Sequence, residues 1–592
     1  MNLIWNKNLS LFKNRFPALA DLCESQISFF EKNSGTEREN LLYQFWNIQT
    51  AKNGAITAKE NGLLLHSAYN PQREAEVLLT SKKEEIEDAK ALIFESFGLL
   101  YAPLAAAALY SQKTIILIEP DINRFLAAML FIDAEKLFFH NSIIFALGAP
   151  ANQSITLLNQ YGISDCVFFC SAAQIAHAAG YFAELSVLIE RNREKEKINS
   201  ATLEKFRKLW FSNSKRNIFK STLLESVNIY KNRAENLPFL VLGAGPSLEK
   251  ILPFLKELEN KVVTVCVDTA LRACLRVEFQ PDFIVLTDPQ YWAYRHIAGL
   301  KSPKSILITE NSVYPSVFNF ECKKIVCCKS QIPVGHFFEK FCGAQGYLGA
   351  GGSVASCAWT FAKLCGAKKV FLCGMDLAFP NKQTHIKGST FEQKLYTTST
   401  KINTAEKNGI SMLFSGNVSW EKDFFGNPVL SDKRMKMFAW WFESNIASVS
   451  GLKTYTLSPE GLKIPGAVPA EVEEVLRFPN VFQEKEKFLS LAESEAEKQK
   501  KADGLKIAKR EFNAELEKAL NICKDALKTL KSQDDFQKLA QTEQKYKNEL
   551  GCLAVSDCLA LIPPSNLRDF PKEERAKIFF KSIEEFCASY LL

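Results

Sequence analysis

The sequence predicts an α/β protein with two parallel-sheet units followed by an α-helical C-terminal region. Three observations lead there. Short apolar runs of strand length alternate with helix-like segments across most of residues 1–475. One of them, Phe239–Leu242, stops abruptly in Gly243-Ala244-Gly245-Pro246-Ser247, and Leu248, Ile251, Leu252 and Leu255 follow at helical spacing. From Glu484 to Ser532 the chain is rich in Glu, Lys, Ala and Leu, interrupted only by Gly504.

With 592 residues the chain is too long for one core. A hydrophobic fraction of 47% and a charged fraction of 23% are ordinary for a soluble globular protein. A formal charge of +7 is small for this size, which argues against a nucleic-acid binder but tolerates an anionic sugar nucleotide. The 16 Cys are scattered, several within apolar runs such as Val265-Cys266-Val267 and Phe371-Leu372-Cys373, as expected of buried free thiols in a reducing compartment. No Cys-x-x-Cys pair occurs, so a structural zinc site is not expected, nor any other metal. The segment Met1–Lys7 lacks the apolar core of a signal peptide. Val167–Ile189 is broken by Gln174, His177 and Glu184 and reads as buried helices, not a membrane span. A cytoplasmic protein is expected.

Residues 1–200 read as an N-terminal Rossmann-like α/β domain, with strands at Asn61–His66, Ala89–Phe94 and Thr114–Ile118. The last strand ends in Glu119, a position that often holds a ribose. Its companion glycine turn is poor, because Gly98 stands alone, so a ligand-free scaffold is the competing reading. Residues 201–236 carry high charge and few strand signals and read as a helical connector over the surface. Residues 237–475 form the central domain, with strands at Phe239–Leu242, Val262–Val267, Phe283–Leu286, Ser305–Ile308, Lys324–Cys328 and Val370–Cys373. Residues 476–592 form the helical C-terminal domain, broken at Ile562-Pro563-Pro564-Ser565. It is either a solvated appendage or a docking surface for a helical partner.

In parallel sheets covered by helices, ligands bind beyond the carboxyl ends of the strands. Here those ends deliver Gly243–Ser247, Asp268-Thr269, Thr287-Asp288 and Gly374-Met375-Asp376. A second glycine turn, Gly349-Ala350-Gly351-Gly352-Ser353, precedes the apolar helix Val354–Cys365. Both glycine turns lead into helical segments whose free N–H groups suit phosphate. The alternatives are a tight turn without a ligand and, for each carboxylate, a helix N-cap.

The stretch from Gly243 to about Gly466 resembles the motility accessory factor family of flagellin glycosyltransferases, whose central domain is also similar to a 6-hydroxymethylpterin pyrophosphokinase. The matching motifs are Gly-Ala-Gly-Pro-Ser-Leu (243–248), Val-Asp-Thr-Ala-Leu (267–271), Pro-Asp-Phe-Ile-Val-Leu-Thr-Asp (281–288), Gly-Gly-Ser-Val-Ala (351–355), Gly-Met-Asp-Leu-Ala-Phe (374–379) and Thr-His-Ile-Lys-Gly (384–388). Leu-His-Ser-Ala-Tyr-Asn-Pro-Gln-Arg-Glu-Ala-Glu (65–76) is similar to the family's N-terminal signature. The resemblance implies a sialyltransferase-like central domain that moves a nonulosonic acid, such as pseudaminic or legionaminic acid, from a CMP donor to Ser or Thr of flagellin. It also implies a metal-independent reaction with no separate cofactor and a His general base. Asp268 departs from the pattern, since the sialyltransferases place Asn there, and the N-terminal turn lacks glycines usual in the family.

Such a reaction needs donors for the leaving phosphate and a base for the acceptor hydroxyl. N–H groups and hydroxyls around Gly245–Ser247 and Gly352–Ser353 are the expected donors. His385, in a polar loop shortly after Asp376, is the expected base, since the reference pKa of His, about 6.5, lies near working pH. Two rival readings remain. A pterin pyrophosphokinase would use Asp268, Asp288 and Asp376 to hold magnesium around ATP, although no Gly-x-x-x-x-Gly-Lys-Ser/Thr loop is present. A flagellin chaperone would keep only a vestigial site.

Overall fold

The structure is a computed structural model. It describes all residues except 1–2, 34–40, 43, 350–351, 532–535, 565–566, 568–569 and 592. The chain divides into two compact units, residues 1–201 and 202–592.

The first unit holds an antiparallel sheet of β1 (Asn47–Thr50), β2 (Ile56–Glu60) and β3 (Leu63–Leu64). It also holds a parallel sheet of β4 (Ala91–Glu95), β5 (Thr114–Glu119), β6 (Ile143–Leu147) and β7 (Cys166–Cys170) in the order β6-β5-β4-β7. The buried strand expected at Asn61–His66 is instead the exposed two-residue β3. The reason is Asn61-Gly62, which takes positive φ at both residues (47° and 82°) and closes a two-residue hairpin between β2 and β3. Val167–Ile189 is likewise not all helix, since it begins within β7. Its helical part lies in the run Ala172–Leu223, long and apolar enough by composition to cross a membrane, with 17% of its most apolar window buried. Phe182, Leu185 and Ile189 of that run recur at helical spacing and pack on Ile93, Ile116 and Ile118.

Glu119 does end its strand, but it faces inward. It is 1% exposed. Its carboxylate accepts from Ser96 Oγ (2.8 Å) and the Asp121 N–H (3.1 Å) and meets His177 Nε2 (2.8 Å). The carboxylate expected to meet a ribose is thus engaged by an internal network in this structure.

The second unit is built on β8 (Glu225–Ser226), β9 (Phe239–Leu242), β10 (Val263–Val267), β11 (Phe283–Val285), β12 (Lys301–Thr309), β13 (Glu321–Cys327), β14 (Lys369–Cys373), β17 (Lys453–Thr456) and β18 (Val468–Pro469). These nine strands run in the order β18-β17-β14-β9-β10-β11-β12-β13-β8, every pair parallel. A separate hairpin, β15 (Val418–Lys422) and β16 (Pro428–Asp432), lies outside that sheet. From β9 the chain steps outward through β10 to β13, then returns to the other side of β9 as β14. The switch point thus falls between β9 and β14, where an open parallel sheet leaves a crevice beyond its strand ends.

The segment expected to be a surface connector is built into this unit. It belongs to the helix Ala179–Leu223. Asn213 Nδ2 donates to the carbonyls of Pro289 and Ser312, both at 2.9 Å, and Asn217 Nδ2 donates to those of Asn311 (2.9 Å) and Val313 (2.8 Å). Both Asn side chains are buried and pin the loops that follow β11 and β12. The C-terminal helices are not a solvated appendage either. Helix Glu495–Lys531 buries Ala508, Phe512, Leu516, Ala519, Cys523, Ala526 and Leu530 at helical spacing. That stripe joins Phe211 and Ile218, Phe337 and Phe338, and Phe580 and Ile583 in one core.

Deleting residues 484–592 should therefore leave Phe337 and Phe338 bare and yield insoluble protein, measured as the soluble fraction on expression. Phe512→Ala, within 5.1 Å of the Phe337 ring and 5.6 Å of Phe338, should cost about 3–5 kcal/mol, read from the denaturant midpoint.

Candidate functional site

Two turns cross at the switch point. The Gly243 N–H donates to the Cys373 carbonyl (2.7 Å), and the Gly245 N–H donates to the Gly374 carbonyl (2.8 Å). A Cβ on Gly243 would lie 2.5 Å from the Gly374 oxygen, and one on Gly245 would collide with the Asp376 carboxylate. Gly374 adds a positive φ of 63°. These glycines serve the contact between two backbones. That is a structural demand which the sequence had assigned to a ligand.

A third loop closes the crossing. Ser458, just after β17, bonds Ser247 through its Oγ (2.7 Å) and accepts from the Gly374 N–H (3.0 Å). Leu462 N–H donates to the Asp376 carbonyl (2.7 Å). Sequence reading missed this loop because β17, Lys-Thr-Tyr-Thr, carries no apolar run. Its Tyr455 ring instead stacks on Phe371 of β14 at 4.8 Å.

The turn after β9 does not open an α-helix. It opens the 3₁₀ segments Pro246–Lys250 and Leu252–Phe254, because Pro253 lacks the N–H that an α-helix needs. The Ser247 N–H, expected as a phosphate donor, binds Asp376 Oδ2 (3.2 Å). With the Gly243 and Gly245 N–H groups also engaged, the expected anion cradle is used internally in this conformation.

Asp376 is the central polar group of the crossing. It is 2% exposed. Its Oδ2 is held by Ser247, while its Oδ1 is buried without a hydrogen-bond partner. Burial pushes its pKa up to about 6, with the Ser247 bonds acting the other way. Asp268 starts the helix Asp268–Arg276, and burial together with the nearby Asp288 raises its pKa to about 8. Thr269 follows it in that first turn. Asp288 is also raised by burial and accepts from the Gln290 N–H (2.8 Å). Among the described residues, no three His, Cys, Asp or Glu side chains gather as a metal-holding group.

His385 is brought to the crossing by its backbone, since the next N–H, of Ile386, donates to the Ala244 carbonyl (2.9 Å). Its ring stacks on Phe391 at 4.1 Å and 17°, and its Nδ1 is buried without a partner. Phe391 also touches His296 (5.2 Å), which bonds Thr390 through Nδ1. Burial depresses both imidazoles to about 4, helped by Arg434 at His385 and by Arg272 at His296.

Gly351 lies outside the described residues. Gly352 takes a φ of 74° beside Phe438, and the Ser353 hydroxyl caps the helix Val354–Leu364 by accepting from the Ala355 N–H (3.3 Å). That helix reaches the β11 rim through Cys357, whose sulfur lies 3.8 Å from Thr287 Oγ1.

A cleft of about 390 Å³ opens beside the crossing. Pro246, Ser247 and Asp376 form one wall, Phe379 to Gln383 a second, and Trp420, Asp423 and Pro428 to Leu430 of the β15–β16 hairpin a third, with Lys250 and Glu460 between them. His385, Asp268, Thr269, Asp288, Gly352 and Ser353 are not among its walls. The predicted site thus falls in two parts, a cleft around Asp376 and an aromatic and cationic group around His385.

Several known proteins are similar to this chain. The solved structure of the Maf glycosyltransferase from Magnetospirillum magneticum AMB-1 is similar over 100% of this chain and 95% of its own, with a TM-score of 0.59 at 14% identity. The chain has the Maf glycosyltransferase fold. That fold is the one the sequence motifs imply. Residues 211–382, which carry both glycine turns and Asp376, match the family described as 6-hydroxymethylpterin diphosphokinase MptE-like. Two uncharacterized proteins of Treponema pallidum (strain Nichols) are also similar. One is 31% identical over 34% of this chain and 58% of its own length, so the match spans little more than half of that relative. The other is 26% identical over 43% of this chain and 85% of its own.

Gly245→Ala should push the Asp376 carboxylate out of the crossing. The expected result is a lower melting temperature in a thermal-shift measurement, together with loss of any activity that depends on Asp376. A melting temperature equal to that of the native protein would show that the crossing tolerates a methyl group.

Proposed function

We propose that the protein is a glycosyltransferase that moves a nonulosonic, sialic-acid-like sugar from a CMP-activated donor to Ser or Thr of flagellin. The reaction would take place in the cytoplasm and serve flagellum assembly and motility. The observation that carries this reading is the match of the whole chain to the fold of a solved glycosyltransferase. The motif order along the sheet rim, from Gly243–Ser247 through Asp268 and Asp288 to Gly374-Met375-Asp376, supports it.

The chemistry is consistent with that assignment. A CMP-sugar carries its leaving phosphate on the anomeric carbon, so the enzyme needs cationic groups for the donor and a base for the acceptor. Arg272, whose buried Nε lacks a partner, and Arg434 supply positive charge around His296 and His385. That group suits the anionic donor. Of the two candidate bases, Asp376 is the better matched to neutral pH. An imidazole depressed to about 4 is neutral but weakly basic, whereas a carboxylate raised to about 6 is ionised at pH 7 and accepts a proton more readily. The donor is the CMP-activated sugar itself, with no further cofactor and no nucleic-acid partner.

The family match over residues 211–382 favours one rival, a diphosphokinase using magnesium and ATP, in which Asp268, Asp288 and Asp376 would be the carboxylates that hold the metal. Calorimetry separates the readings. CMP should bind without added metal, and binding of ATP alone, only with magnesium, would favour the diphosphokinase. A flagellin chaperone would bind flagellin and neither nucleotide.

The pH–rate profile separates the bases. A base works only when deprotonated, so the rate should fall as pH drops through its pKa. The acidic limb is expected near pH 6, set by Asp376. A limb near pH 4 would assign the base to His385.

A further inference from the structure

The cleft beside the crossing has a chemistry of its own. Its walls carry Lys250 and Lys382 against Asp376, Asp423 and Glu460. One of the two lysines is already paired, Lys250 with Glu460. Asp376 and Asp423 are buried, and the Asp423 carboxylate accepts from the N–H groups of its own turn, Phe425 (2.9 Å) and Asn427 (2.8 Å). Lys382 is thus left as the one lysine of these walls not engaged by Glu460, a weak seat for a nucleotide phosphate, which is drawn to several positive charges. The other walls are apolar, or carry side-chain amides at Asn381 and Gln383 that can pair with a peptide backbone. At the lip, Trp420 is 67% exposed, and Phe425 in the hairpin turn beyond it is 63% exposed. An apolar surface of this kind, continuous with a cleft, is suited to protein contact. Within the wall, Asp376 Oδ1 is buried and lacks a donor. A buried carboxylate oxygen left unpaired is costly, and a ligand O–H would complete it.

Resting on the glycosyltransferase reading, we infer that this cleft is the acceptor subsite, that it holds an extended peptide segment of the protein acceptor against Trp420, and that Asp376 receives the proton of the Ser or Thr hydroxyl. The hydroxyl oxygen forms its bond to the anomeric carbon as the bond from that carbon to the CMP phosphate oxygen breaks. CMP leaves with the electron pair, and the hydroxyl proton passes to Asp376 Oδ1. The donor is assigned to the group of His385 and the two arginines, which lies outside the cleft's walls and is tied to the same crossing through Ile386, so one crossing presents both substrates to each other.

The test uses the full chain, CMP and purified flagellin, with two variants. Trp420→Ala changes an exposed residue and spares the fold. It should raise the KM for flagellin about tenfold and leave the Kd for CMP within about twofold. Asp376→Asn keeps an oxygen for the Ser247 N–H. It should lower transfer to flagellin by about 10²–10⁴-fold, abolish the acidic limb of the pH profile and leave CMP affinity unchanged. If either variant weakens CMP binding as much as it weakens transfer, the cleft belongs to the donor and the inference is overturned. If Trp420→Ala leaves the flagellin KM unchanged, the peptide does not lie there and the inference is again overturned. Failure of the underlying reading looks different. The native protein would then neither bind CMP nor modify flagellin, and both proposals would fall.

Discussion

Everything around the candidate site depends on how closely two backbones approach at the switch point of the large sheet. The turns after β9 and β14 meet through hydrogen bonds from Gly243 and Gly245 to Cys373 and Gly374, with no room for a side chain between them. The approach is possible because neighbouring parallel strands end together and the chain leaves them in opposite directions. Once the turns are locked, Asp376 has one available position, and the loop after β17 closes over it through Ser458 and Leu462. The result is a buried carboxylate whose geometry is fixed by backbone atoms from three strand ends.

Burial sets the electrostatics of the rim. Asp268, Asp288 and Asp376 all lose water without gaining a strong cationic partner, and burial raises each of them. The imidazoles of His296 and His385 shift the other way for the same reason, since desolvation penalises whichever form is charged. The rim is therefore closer to neutral than its formal charges suggest. An anionic ligand near Arg272 and Arg434 would strengthen the positive forms of the two His residues.

The helices that looked peripheral in the sequence stabilise this rim from behind. Asn213 and Asn217 of the long helix Ala179–Leu223 hold the loops after β11 and β12 by four side-chain bonds to carbonyls. Helix Glu495–Lys531 covers Phe337 and Phe338, which belong to the helix following β13. A loop buried in this way must have its carbonyls paired, and amide side chains from a neighbouring helix meet that need. The C-terminal region thus shares a core with the helix that follows β13, while the exposed apolar residues near the cleft lie on the β15–β16 hairpin.

The parallel sheets are legible in the chain alone, because buried parallel strands must be short apolar runs and the helices between them must show a 3.6-residue period. Equally legible is the placement of Gly243–Ser247 and Gly374–Asp376 at strand ends, since both follow such runs directly. Which atoms those residues meet depends on contacts made only on folding. A glycine is required equally by a phosphate and by a crossing backbone, and nothing in the local chain distinguishes them; the distance from Gly245 to Gly374 does. Pro253, visible in the sequence, turned an expected α-helix into 3₁₀ segments, and Asn61-Gly62 turned an expected strand into a hairpin. The cleft itself was not legible, because its walls come from residues 246–250, 376–383, 420–430 and 460, which only folding brings together. The polar strand β17 escaped notice for a related reason: its place in the sheet comes from pairing with β14, not from its own hydrophobicity.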